Sequence, residues 1–136
     1  MNWQTEVPVT PGSPKITYGQ PILVTGSCFA QHLGDKLAYF GYQHLTNPFG
    51  VIFHPLPLVR LLERAVDGRE FTCDDLFENN GLWFCLETHS SLYAKSSDAL
   101  LVLLNDKLKT CREYIAKSSH LVLTLGTGWG LSLIHI

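Results

Sequence analysis

A chain of 136 residues, 46% hydrophobic and 16% charged, is long and apolar enough to bury one core, which excludes a disordered segment. Its net charge of −2 leaves no basic footprint, so nucleic acid is not an expected partner. No apolar run approaches the roughly 20 residues that cross a bilayer, and "MNWQTEVPVTPGSPKI" has no basic start followed by an apolar stretch, so a cytoplasmic protein without a membrane partner is expected.

The lead-in to about residue 20, with Pro8, Pro11 and Pro14, reads as extended chain. "PILVT" at 21–25 is a short, fully apolar strand of the kind buried on both faces of a parallel sheet. Phe29, Leu33, Leu37 and Phe40 or Tyr39 then recur at helical spacing, and Gly41 stops the helix. Tyr42–Leu45 suggests a short second strand, and Asn47-Pro48-Phe49-Gly50 is turn chemistry. Pro55 or Pro57 opens a second helix with the stripe Leu58, Leu61, Leu62 and Ala65, ended by Gly68. Thr72 is expected to cap a helical turn running through Phe77, broken at Asn79-Asn80-Gly81. Leu82–Glu87 and Ser90–Ala94 suggest two short strands. Ser97 or Asp98 caps a long helix whose apolar face runs through Leu100 or Leu101, Leu104, Leu108, Cys111 and Ile115. "HLVLTLGT" at 120–127 is a second buried strand ending in small residues.

Two buried strands that each end at a glycine turn predict an α/β sheet. Ligands of such sheets sit beyond the carboxyl ends of the strands, so Gly26-Ser27 and Gly126-Thr127 should face one cleft. No linker or repeat divides the chain. Cys28, Cys73, Cys85 and Cys111 form neither a CxxC pair nor a Cys/His ligand set, so reduced thiols, no metal and no cofactor are expected.

"TGSCFA" at 25–30 places a serine where strand gives way to helix. The hydroxyl is then held on rigid structure, beside backbone N–H groups free to stabilise an anion. The same serine fits three roles: helix cap, anion site or nucleophile. The sequence is not a G-x-S-x-G elbow, since Thr25 and Phe29 occupy the glycine positions. Cys28 is a rival nucleophile, but beside Phe29 it reads better as a small hydrophobe packed behind the turn.

"GSCFA" at 26–30, "NPFGVIFHP" at 47–55 and "LTLGTGW" at 123–129 together resemble the GSCFA family, over roughly residues 15–130. That family is similar to the SGNH (GDSL-like) hydrolases. The resemblance implies a three-layer α/β/α sandwich with a mostly parallel sheet, incomplete at the C-terminus. It makes Ser27 the nucleophile, its N–H part of an oxyanion hole, and Gly50 a second N–H donor. The third block corresponds to Gly126-Thr127-Gly128-Trp129. There the usual Asn is missing, which leaves Thr127 as a hydroxyl donor. Asn47 is another polar group near the cleft, or simply an Asx turn.

The D-x-x-H block that supplies base and acid in such enzymes is absent from this sequence and expected beyond residue 130. His32, His44, His54, His89 and His120 remain as substitutes, none of them singled out. The implied activity is that of a serine ester hydrolase acting on an acyl or acetyl ester of a small molecule or carbohydrate, with this chain as its inactive N-terminal part. Trp83 and Trp129 would line a sugar site or belong to the core. The competing reading is a non-catalytic ligand- or anion-binding domain on the same fold. Residues 1–130 are taken as one domain, and "LSLIHI" (Leu131–Ile136) as the translated end of a sequencing adapter. With fewer strands than such a sheet needs, an open edge and exposed apolar faces are expected.

Overall fold

The computed structural model describes residue 5 and residues 7–127; the readings of Gly128, Trp129 and Leu131–Ile136 fall outside them. The described elements follow in the order β1 (Ile22–Gly26), α1 (Cys28–Tyr39), β2 (His44–Thr46), α2 (Pro55–Asp67), β3 (Leu76–Asn79), β4 (Leu82–Cys85), β5 (Tyr93–Ala94), α3 (Ser97–Lys117) and β6 (His120–Thr124). The protein is α/β, with a parallel sheet ordered β2-β1-β6 and a small antiparallel sheet ordered β3-β4-β5.

Every residue of β1 is buried, as its unbroken apolar run requires of a central parallel strand. Its side chains alternate between two clusters. Ile22 and Val24 pack with Ala30, Leu33 and Leu37 of α1 and with Val122. Leu23 joins Leu58, Leu61 and Ala65 of α2 and Leu100, Leu104, Leu108 and Cys111 of α3. Helix α1 therefore covers one face of the sheet, and α2 with α3 the other.

The stripes of α2 and α3 and the Gly68 end of α2 agree with the sequence reading, whereas α3 is capped by Ser96 and not by Ser97 or Asp98. Three readings need correction. The packed face of α1 runs through Ala30 and Gly34 together with Leu33 and Leu37, as read, while Phe29, Tyr39 and Phe40 are exposed. The aromatics lie on the solvent side because the small residues let the helix approach the sheet closely. Leu76–Asn79 is a strand, not the end of a helical turn. Asn80 and Gly81, at φ 53° and 78°, form the two-residue turn that favours a β-hairpin. Strand β6 is only half buried: Leu121 and Leu123 are exposed because α1 packs on the other face of β6, whereas α2 and α3 pack over β1.

One buried cation ties the small sheet to α2. Arg64 is 6% exposed and lies over the Phe71 ring, 4.4 Å from its centroid. It donates to Asp75 Oδ1 and Oδ2 at 3.1 and 3.3 Å, to Glu87 Oε1 at 3.2 Å and to the Glu70 carbonyl at 3.2 Å. Its Nε pairs with Glu87 Oε2 at 3.1 Å, at an angle too bent for a hydrogen bond. Burial disfavours the charge on Asp75, but the Thr72 N–H and the guanidinium outweigh it and hold the carboxyl below its usual range.

Candidate functional site at the carboxyl edge of the parallel sheet

Strands β1 and β6 run in parallel register with Gly26 opposite Thr124, so their carboxyl ends meet at one edge, as the glycine turns predict. Gly26 has φ 132°, and a Cβ there would overlap the Thr124 carbonyl oxygen; the close approach of the two strands depends on its missing side chain. Ser27 follows immediately. Its N–H donates to the Thr124 carbonyl at 2.8 Å and to Thr124 Oγ1 at 3.0 Å. Its Oγ lies 3.0 Å from Thr124 Oγ1 and accepts the Phe29 N–H at 3.3 Å. Ser27 is therefore the N-cap of α1, and only 8% exposed.

The first turn of α1 carries no acidic residue, so the helix supplies no counter-charge of its own to the positive end of its dipole. Cys28 and Phe29 are exposed at this mouth. That corrects the expectation that Cys28 packs behind the turn: the chain does not wind into the core until Ala30.

Asn47 lies beside the same edge in the left-handed region, φ 43°. Its Oδ1 accepts the Gly26 N–H at 2.9 Å, and its own N–H donates to the Val24 carbonyl at 2.9 Å. Its carbonyl accepts the Gly50 N–H at 2.9 Å, so that glycine N–H is engaged within the turn. Gly50 has φ 84°, and a Cβ there would overlap His89 Cβ, so the residue lets the small-sheet connection pass close. Thr127 is exposed, and its N–H donates to the Phe53 carbonyl at 3.3 Å. The structure thus brings Ser27, Asn47 and Gly50 to one edge with Thr127 nearby. The residue the sequence reading missed is Thr124. Its signal was the register of two strands ending alike, which a linear motif does not display.

No histidine is among the hydrogen-bond partners found for Ser27 Oγ. His44 Nδ1 meets the Tyr42 carbonyl at 3.1 Å, and His54 Nδ1 caps α2 by accepting the Leu56 N–H at 3.1 Å. His89 Nδ1 pairs with Ser91 Oγ at 2.9 Å. His120 spans Ser119 Oγ at 2.9 Å and the Pro14 carbonyl at 3.0 Å. His32 is exposed on α1. Trp83 packs against the main core.

An open groove of about 380 Å³ flanks the edge, walled by Phe53, His54, Pro57, Leu86 and His89. It adjoins the site through Ile52, whose N–H donates to the Gly26 carbonyl at 2.8 Å. A cavity of about 360 Å³ between α2 and α3 shares no residue with this edge. Among the described residues no three His, Cys, Asp or Glu side chains group as a metal site, and no helix is long and apolar enough to cross a membrane.

The fold and this edge define an α/β protein with a serine-capped turn at the carboxyl end of a parallel sheet. The chain belongs to the GSCFA family, whose model matches residues 21–135. No curated protein and no solved structure matches it.

Proposed function

We propose that this chain carries the nucleophile-bearing part of a serine ester hydrolase site of the SGNH type. The observation that carries the reading is the placement of Ser27: its hydroxyl sits at the carboxyl edge of the sheet, at the positive end of α1, hydrogen-bonded to Thr124. The layering of α1 on one face of the sheet and α2 with α3 on the other supports a three-layer sandwich. The groove beside Phe53 and Leu86 offers room for an acyl or acetyl ester of a small molecule or carbohydrate.

In this reading Ser27 Oγ bonds to the ester carbonyl carbon while its proton passes to a neutral imidazole base. The carbonyl π pair moves to oxygen, whose donors must be groups other than the Ser27 and Gly50 N–H, since Thr124 and Asn47 hold those two. Collapse expels the alcohol, which takes the proton from the base, and water then releases the acid by the same steps in reverse order of groups. The base belongs to a D-x-x-H block, which this sequence does not contain.

One observation favours a second reading. The Ser27 N–H is engaged by Thr124, and its hydroxyl serves as a helix cap. A turn used only for capping and anion binding needs nothing more.

The test is a fluorophosphonate probe applied to the natural protein that carries this sequence. Labelling at Ser27 that Ser27→Ala abolishes is the expected result. Labelling that survives Ser27→Ala refutes the nucleophile. Absence of labelling, with a Tm raised by inorganic phosphate in the wild type, selects the anion-binding reading.

A further inference from the structure

We infer that Thr124 is a positioning residue for the Ser27 hydroxyl, and that it frees the serine proton for transfer. The inference rests on the hydrolase reading above and assigns a role to a strand residue that the family signature at Ser27 does not contain.

A serine hydroxyl has one proton and two acceptor positions. The Phe29 N–H occupies one of those acceptor positions at 3.3 Å. Thr124 Oγ1 lies 3.0 Å from Ser27 Oγ, and it also accepts the Ser27 N–H at 3.0 Å. That N–H takes one of the two acceptor sites of Thr124 Oγ1; either hydroxyl of the pair can donate to the other, and the positioning role has Thr124 as the donor. With Thr124 and Phe29 both donating, Ser27 Oγ is saturated as an acceptor and its proton is left for a base. Both bonds strengthen as negative charge grows on Oγ, because hydrogen bonds to a charged oxygen are about twice as strong as neutral ones. The same pair of contacts fixes the direction of Oγ relative to the sheet edge. No bond to substrate is involved, so Thr124 acts through Ser27.

The backbone makes this testable without loss of the fold. The Ser27 N–H keeps the Thr124 carbonyl at 2.8 Å whatever the side chain at 124. Thr124→Val retains the β-branched shape and leaves no buried N–H unpaired, whereas Thr124→Ser keeps the hydroxyl.

The experiment measures fluorophosphonate inactivation of the natural protein carrying this sequence, resolved into kinact and KI, with Tm alongside. For Thr124→Val, kinact falls about 10- to 100-fold, the worth of one hydrogen bond to a charged group. KI and Tm stay near wild type, and Thr124→Ser restores most of the rate. A Thr124→Val protein that labels at the wild-type rate, while Ser27→Ala does not label, overturns the positioning role and leaves Ser27 as nucleophile. A loss shared by Thr124→Ser, or one accompanied by a fall in Tm and a changed KI, assigns Thr124 to the fold and also overturns it. Labelling that persists in Ser27→Ala removes the hydrolase reading and this role with it.

Discussion

Replacing Arg64 with Met tests what holds the small antiparallel sheet against α2. Methionine keeps an unbranched apolar stem against Phe71 but removes the cation and its donors. Arg64 is 6% exposed, so its guanidinium is held away from water among its partners. The side chain of Asp75 is 23% exposed and that of Glu87 is 40% exposed. Removing one partner of a buried ion cluster costs about 3–5 kcal/mol, chiefly because the remaining charges lose their compensation. The two carboxylates should not contribute equally. Asp75→Asn weakens a bidentate pair and the cap on the Thr72 N–H, the latter a 2.8 Å bond. Its expected cost is about 1.5–3 kcal/mol, the range for hydrogen bonds to charged groups. Glu87→Gln acts at a solvent-screened position, and about 0–1 kcal/mol is expected. Urea unfolding followed by far-UV circular dichroism gives the order Arg64→Met, then Asp75→Asn, then Glu87→Gln. An Arg64→Met protein within 1 kcal/mol of wild type, a bound set well under the ion-cluster range, refutes the claim that the cluster joins the two parts. So does a Glu87→Gln loss as large as that of Arg64→Met.

The depressed pKa of Asp75 gives a pH dependence of definite sign. Its ordinary value is 3.8 and its folded value lies lower. Between the two the unfolded chain binds more protons, so this carboxylate's stabilisation is present above 3.8 and is lost as pH falls through the folded value. Acid titration of the unfolding midpoint should therefore be shallower in Asp75→Asn than in wild type; identical acid limbs exclude the assignment. The thiols give a further check. Cys28 and Cys73 are exposed, whereas Cys85 and Cys111 are buried, and burial pushes the Cys111 thiol up to about 11. An aromatic disulfide reagent should modify Cys28 and Cys73 rapidly in the folded protein and the other two only on unfolding. Fast modification of Cys111 contradicts the packing of α3 against β1.

What the sequence revealed follows from the range over which each signal acts. The stripe of α3 is a local pattern, and its buried positions Leu104, Leu108 and Cys111 are where the periodicity places them. On α1 the reading placed Leu33 and Leu37 correctly but took the aromatics for core, because large aromatics outweigh Ala30 and Gly34 in any hydrophobic count although close packing selects the small residues. Strand β3 was hidden because the capping pattern at Thr72 suggested a longer helix, while the stronger hairpin signal lay at Asn80-Gly81. Arg64 stands on the apolar face of α2, and its partners Asp75 and Glu87 lie 11 and 23 residues away. Nothing local announces such a cluster. Ser27 was legible as a turn serine, but its pairing with Thr124 spans 97 residues and depends on strand register.

The separate contacts at the carboxyl edge close into one circuit. Gly26 donates to the Asn47 side chain and accepts from Ile52; the next residue, Phe53, accepts from Gly126; and Thr124, two residues before Gly126, accepts from Ser27. The loop from 47 to 53 is thereby fastened to the end of β1 and just beyond the end of β6, and Ser27 stands where the two strands meet. His89, whose N–H donates to the Phe49 carbonyl at 3.0 Å, fastens the small-sheet connection to the same loop. A hydroxyl used for chemistry must be held to a fraction of an ångström by groups that are themselves fixed. Most of these fastenings are backbone hydrogen bonds, which substitution of side chains cannot remove. Besides Ser27 itself, the side-chain contributions to the circuit come from Asn47 and Thr124. Thr124 touches Ser27 directly, which makes it the position where the site can be altered without dismantling the edge that supports it.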